Sequence, residues 1–160
     1  MMIDGAGINR RVLIIDDNRA VHEDFKQVLA AHGTYLPAGV APVDFQIACA
    51  TQGEEGWQLV CEARQKGEPF AMAFVDLNMP PGWDGVETIA RIWKDDPALQ
   101  IVVCSGSRQG SWAGVLGRLD RTDQVLVLKK PFDPAEARQI ALLLTHTWSL
   151  ANPAADLPGR

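Results

Sequence analysis

The chain is predicted to be an α/β domain: a doubly wound parallel sheet with helices on both faces. Short apolar runs recur along it, among them Val12–Ile15, Phe70–Val75 and Val125–Leu128. Runs of this length without polar alternation read as strands buried on both faces. Segments with apolar residues at helical spacing lie between them, and such alternation implies parallel strands joined by right-handed crossovers. A third observation concerns the strand ends. Asp16 and Asp17 end the first of these runs, Asp76 ends the second, and Lys130 follows the last. If those strands are parallel neighbours, their carboxyl ends share the sheet edge where open α/β sheets bind ligands.

Residues 1–10 carry glycines without periodicity and read as a flexible lead-in; Gly5 and Gly7 follow no strand and make no phosphate loop. Strand one spans about Arg11–Asp16 and helix one about Arg19–Ala31, with Val21, Phe25, Val28 and Leu29 inward and Gly33 at its stop. A loop over Thr34–Asp44 holds Pro37, Gly39 and Pro42. Strand two is Phe45–Ala50, and helix two is Gly53–Lys66, broken by Gly67 and Pro69. Strand three is Phe70–Leu77, followed by the turn-rich loop NMPPGWDG. Helix three covers Val86–Lys94 and strand four Leu99–Cys104. A polar loop over Ser105–Ser111 leads into a short helix four ending near Leu119, and strand five is Val125–Leu128. Helix five has the clearest start: Asp133 as N-cap, Pro134 at the first position, and Glu136 placed for a capping box. It should reach about Trp148, leaving residues 149–160 as a disordered tail. One domain over 11–148 is expected.

Composition narrows the function classes. With 160 residues there is chain enough for one sizeable core. Hydrophobic content of 47% and charged content of 22% are those of an ordinary globular protein. A net charge of −5 argues against a nucleic-acid surface. No apolar stretch approaches the ~20 residues that span a bilayer, and the start MMIDGAGINRR has no apolar core of a signal peptide. Cys49, Cys61 and Cys104 show no CxxC spacing, so reduced thiols in a cytoplasmic protein are expected. His22, His32 and His146 do not cluster and read as surface residues.

Four motifs, each at a strand end, fall in a telling order: Asp16-Asp17, then Asp76 in VDLNMP with Asp84-Gly85 behind it, then Ser105, then Lys130-Pro131-Phe132. Together they resemble the receiver domain of two-component response regulators over about residues 10–148. The loop PPGWDGVETI is similar to a receiver subgroup found in front of histidine-kinase or cyclic-diguanylate output modules. The resemblance implies the flavodoxin-like (βα)5 fold with strand order 2-1-3-4-5. It also implies a phospho-accepting role for Asp76, supplied by a sensor histidine kinase or phosphotransfer protein, with Mg2+ or Mn2+ as cofactor. A phospho-acceptor of this kind is not a turnover enzyme.

The chemistry suits these residue types. A carboxylate is a usable nucleophile toward phosphorus. Its approach to an anionic phosphoryl group needs neutralising charge, since two carboxylates ~5 Å apart repel by roughly 3 kcal/mol at an effective dielectric of about 20. A hard divalent ion with oxygen ligands removes that penalty. The resemblance assigns Asp17 and Asp76 as direct ligands, the backbone carbonyl of Asn78 as another, and Asp16 through a water. It gives Lys130 the task of bridging a carboxylate and the phosphoryl oxygens, and Ser105 a hydrogen bond to the attached phosphoryl group, with Gly106 leaving room for it. Asp84 reads as a turn residue ahead of helix three rather than a ligand, and Lys129 as a solvated neighbour of the site lysine.

The pattern departs from the family at strand five. An aromatic residue often stands three positions before the lysine; here it is Val127, which has no ring to swing between rotamers. Trp112 either replaces it as a switch or packs helix four onto the sheet. No output domain is expected after Trp148, so the chain reads as a stand-alone receiver or a piece of a larger protein. Signalling would then run through the face built by strand four, helix four, strand five and helix five. On helix five, Ala137, Ile140, Ala141, Leu144 and Trp148 form the inward stripe. Leu142 and Leu143 fall partly off it and read either as a patch for a downstream partner or a second copy, or as part of a wide buried face. The competing reading is a pseudo-receiver that acts as an interaction module without phosphorylation. A flavin protein on the same fold is disfavoured because Asp16-Asp17-Asn18-Arg19 would repel a bare phosphate.

Overall fold

A computed structural model describes residues 7–30, 39, 42–106, 114 and 117–153. Five strands alternate with helices: β1 Arg11–Ile15, α1 Arg19–Val28, β2 Gln46–Ala50, α2 Gly53–Gln65, β3 Met72–Asp76, α3 Gly85–Asp95, β4 Gln100–Ser105, β5 Val125–Lys129 and α4 Pro134–Ala151. A single 3-10 turn, Thr122–Gln124, precedes β5. All strands pair in parallel in the order β2-β1-β3-β4-β5, the flavodoxin-like arrangement implied by the family resemblance. The expected helix between β4 and β5 falls mostly outside the described residues, as do Trp112 and His32.

β3 lies at the centre of the sheet and all five of its residues are buried. That explains its unbroken apolar run: helices cover both faces, so no position faces water. Leu13, Ile15, Ala73, Val75, Ile101 and Val103 point into the layer under α2 and α3. Val12, Ile14, Phe74, Val102 and Leu128 point into the layer under α1 and α4. Each fully buried aliphatic or aromatic side chain contributes about 1.5–3 kcal/mol relative to an exposed one. The edge strand β5 is less enclosed, and Leu126 is 41% exposed.

A run of three rings ties the second layer together. Phe25 of α1 lies 4.5 Å from Phe74 of β3 and 4.6 Å from Phe132, which follows the Lys130-Pro131 pair. The Phe of the KPF motif is therefore an anchor that fixes the segment carrying Lys130 against α1.

Helix ends follow their side chains. Asn18 caps α1 by accepting from the Ala20 N–H, and Asp84 caps α3 by accepting from the Glu87 N–H. Asp133 caps α4 through the Ala135 N–H at 2.8 Å, with Pro134 in the first turn. α4 continues past Trp148 to Ala151, where Asn152 bonds the Trp148 carbonyl through both backbone and side chain. At the other end, Ile8, Asn9 and Arg10 are buried rather than loose. Asn9 donates to the Pro69 carbonyl and accepts at its side chain from the Arg11 N–H, and Arg10 donates to Thr145 of α4. These long-range polar contacts leave no periodic trace in the sequence. On α4, Leu142 is half-buried against the core, whereas Leu143 is 54% exposed.

α3 approaches the end of β3 unusually closely. A Cβ added at Gly85 would lie 2.6 Å from the Asp76 carbonyl oxygen and 2.7 Å from the Leu77 Cα. The missing side chain allows the Gly85 N–H to bond the Leu77 carbonyl at 2.9 Å. At Gly106 an added Cβ would meet nothing within 4 Å. Gly85→Ala is therefore expected to lower unfolding free energy by about 1–3 kcal/mol in urea titrations, while Gly106→Ala changes it by no more than about 0.5 kcal/mol.

Candidate acidic site at the carboxyl edge of the sheet

The register sets the site. Ile15 aligns with Val75, Asp76 with Cys104, and Ser105 with Lys129. The residues just beyond or at these pairs are Asp16, Asp76, Ser105 and Lys130, so four chain segments deliver them to one edge. Asp16, Asp17 and Asp76 each offer a carboxylate oxygen within 4.8 Å of the others. Asp16 and Asp76 are buried and Asp17 is exposed. Sequence reasoning placed these three together, and the fold brings them together.

Lys130 joins the cluster from the opposite side. Its ammonium lies 2.5 Å from Asp16 Oδ2 and 3.4 Å from Asp76 Oδ1. Burial pulls the lysine's proton affinity down, but the hydrogen bond to Asp16 and the charges of Asp16 and Asp76 outweigh it, so the net shift is upward. The ammonium is therefore charged throughout the physiological range. Lys129 points to solvent, as expected of a neighbour outside the site.

Asp76 has the opposite problem. Burial raises its pKa, the Asp16 charge raises it further, and Lys130 only partly compensates, which leaves it at about 6. A carboxyl in this state is poorly neutralised without a cation.

Asp16 is fixed at every polar atom. Its N–H donates to the Ala50 carbonyl of β2, its Oδ1 accepts from the Asn18 N–H at 2.9 Å, and its Oδ2 accepts from Lys130. Its carbonyl oxygen lies 2.7 Å from Nε2 of His22. His22 is buried, 5% exposed, which corrects the surface reading given to it. It shares the inward stripe of α1 with Phe25 and Val28, and its spacing of three from Phe25 was the signal that could have found it. His146 is exposed as expected.

The loop after Asp76 is held at several points. Asn78 is exposed, Met79 is buried, and Trp83 sits edge-on to Trp57 of α2 at 6.0 Å with Arg91 over its ring. Pro80-Pro81 and Lys130-Pro131 are cis peptides. Asp84 spends one oxygen on the α3 cap and the other on Arg118 at 3.0 Å, so it serves the helix and not the acidic cluster. Ser105 is buried at the end of β4, its hydroxyl donating to the Gly106 carbonyl at 3.0 Å. Val127 is half-buried on β5. Beside Lys130 a cleft of about 480 Å³ opens between α1 and the segment Pro131–Pro134, with Gly106 at its rim.

The acidic set matches a hard divalent cation. All three donors are carboxylates, the ligand class of Mg2+ and Mn2+. A folded-state pKa above the unfolded value means the native state holds more protons between about pH 4 and pH 6. Without metal, stability should therefore fall as pH rises through that window. Asp76→Asn removes the group and is expected to raise metal-free unfolding free energy at pH 7 by about 1–3 kcal/mol, a difference that vanishes below about pH 4. Parallel urea titrations of both proteins across pH would read it.

Comparison with known proteins bears on the fold and the family. Solved structures with the same fold include a CheY-like response regulator receiver domain protein from Methanospirillum hungatei, with a TM-score of 0.66 at 20% identity, covering 89% of this chain and 98% of that one. A receiver domain protein from Clostridium thermocellum gives a TM-score of 0.68 at 17% identity, covering 88% and 98%. A structure named as adenylate cyclase from Rhodopirellula baltica gives 0.68 at 21% identity, covering 90% and 93%. No curated protein matches the chain. The model of the response regulator receiver domain matches residues 12–141, and with that match the chain belongs to the response regulator receiver domain family.

Proposed function

We propose that this receiver accepts a phosphoryl group on Asp76 from the phosphohistidine of a partner kinase or phosphotransfer protein. The observation that carries the reading is the meeting of Asp16, Asp17, Asp76 and Lys130 at one sheet edge. An Asp76 carboxylate oxygen forms the bond to phosphorus while the phosphorus–nitrogen bond of the partner imidazole breaks, and the imidazole keeps the electron pair. Asp17, Asp76 and the Asn78 carbonyl would hold Mg2+ directly, with Asp16 acting through a water. Bound there, the ion supplies positive charge against the anionic nucleophile and phosphoryl oxygens. Lys130, already paired with Asp16, reaches the incoming oxygens as a point charge. Ser105 gives up its bond to the Gly106 carbonyl to donate to the attached group. Positioning and electrostatics carry the rate, as expected of phosphoryl transfer. The chain is modified once per signal and is not a turnover enzyme.

The added charge of roughly −1.5 to −2 acts on the adjoining β4 and β5 ends. Leu126 on β5 and Leu143 on α4 supply exposed apolar side chains for a downstream protein or a second copy. With Val127 in place of a ring, readout does not use the usual aromatic rotamer. The PPGWDG loop supports membership of the receiver subgroup that precedes histidine-kinase or cyclic-diguanylate modules. The alignment with NtrX from Brucella abortus, of which this chain covers 29%, is a case of the same fold within a longer chain.

Two measurements test the reading. Incubation with acetyl phosphate and Mg2+ should add the mass of one phosphoryl group, and Asp76→Asn should abolish the gain. An unmodified mass in the parent protein would count against the proposal. Mg2+ should also raise the melting temperature, by the equivalent of about 2.7 kcal/mol at a hundredfold excess over Kd. Asp17→Asn should blunt that rise, and a melting temperature indifferent to Mg2+ would contradict a metal site.

A further inference from the structure

We infer that His22 is a positioning residue for the divalent cation: its ring holds the Asp16–Asp17 peptide that sets where the exposed Asp17 carboxylate stands. The proposal rests on the metal reading above and deepens it.

His22 lies one turn into α1, is 5% exposed, and reaches back to the end of β1. Its Nε2 sits 2.7 Å from the Asp16 carbonyl oxygen. A carbonyl oxygen only accepts, so Nε2 carries the hydrogen and donates. The peptide that follows is planar, so fixing that oxygen fixes the plane joining Asp16 to Asp17. The rest of Asp16 is tied by Ala50, Asn18 and Lys130. Asp17 differs: its carboxylate is exposed and has no hydrogen-bond or ion-pair partner among the described residues. Its position within 4.8 Å of the other two carboxylates is therefore set by its backbone together with its own rotamer, not by a side-chain partner. Two bonds flank that backbone: His22 holds the peptide before Asp17, and the Asn18 N–H bond to Asp16 Oδ1 holds the peptide after it. Groups standing behind metal ligands commonly govern affinity in this manner. The ring acts as a rigid, buried donor.

The test compares His22→Leu, which fills similar space without a donor, with His22→Gln, whose amide N–H can reach the same acceptor. Mg2+ affinity is read by titration calorimetry below the melting temperature of each protein, alongside metal-free melting. His22→Leu is expected to weaken Mg2+ binding about tenfold or more, and His22→Gln to recover most of the loss. A purely structural role would instead lower metal-free melting and leave Mg2+ affinity unchanged, which would overturn the proposal while the metal site stood. Absence of Mg2+ binding by the parent protein would overturn the metal reading and this inference with it. If His22→Leu does not fold, nitrogen-15 spectra of the parent chain still decide: hydrogen on Nε2 is required, and a ring protonated only on Nδ1 would refute the assignment.

Discussion

The structure turns on one ammonium held between two buried carboxylates. Lys130 contacts Asp16 and Asp76 from a position that neither aspartate's own strand could supply. Two buried like charges at adjacent strand ends would otherwise be a strong destabilising element. One lysine cannot neutralise three aspartates, so the site keeps a net negative charge at neutral pH. That residual charge is of the sign a hard cation would neutralise, and burial first, the Asp16 charge second, raise the pKa of Asp76.

Holding the ammonium there depends on parts of the chain far from it in sequence. The parallel register brings the ends of β1, β3 and β4 level. The stack of Phe74, Phe25 and Phe132 then fixes the segment after β5 at the right height. Aromatic contacts of this kind add about 0.5–1.5 kcal/mol beyond area burial. Their more important effect here is geometric, since they make the lysine's reach a property of the core.

Much of this was legible in the sequence because it is local. Apolar runs at buried strands, the cap at Asp133, the turn role of Asp84 and acidic residues at strand ends each follow from short-range chemistry, and the strand boundaries moved by only a residue or two. What was not legible is tertiary. The burial of Ile8, Asn9 and Arg10 depends on Pro69 and on α4, distant in sequence. His22 was misread because a polar side chain on an inward stripe gives no apolar signal, and its partner is a backbone oxygen that no residue type announces. The need for glycine at position 85 likewise arises only once α3 is laid against β3.

That last contact has a mechanical meaning. The Asp76 carbonyl is the floor on which the amino end of α3 rests, with no side chain as a cushion between them. The neighbouring Leu77 carbonyl is clamped to the same helix end through the Gly85 N–H. A displacement of the backbone beneath a modified aspartate would therefore push on a rod eleven residues long. Such a rod can pivot but cannot compress, so news of the event would reach the far tip of α3 as leverage.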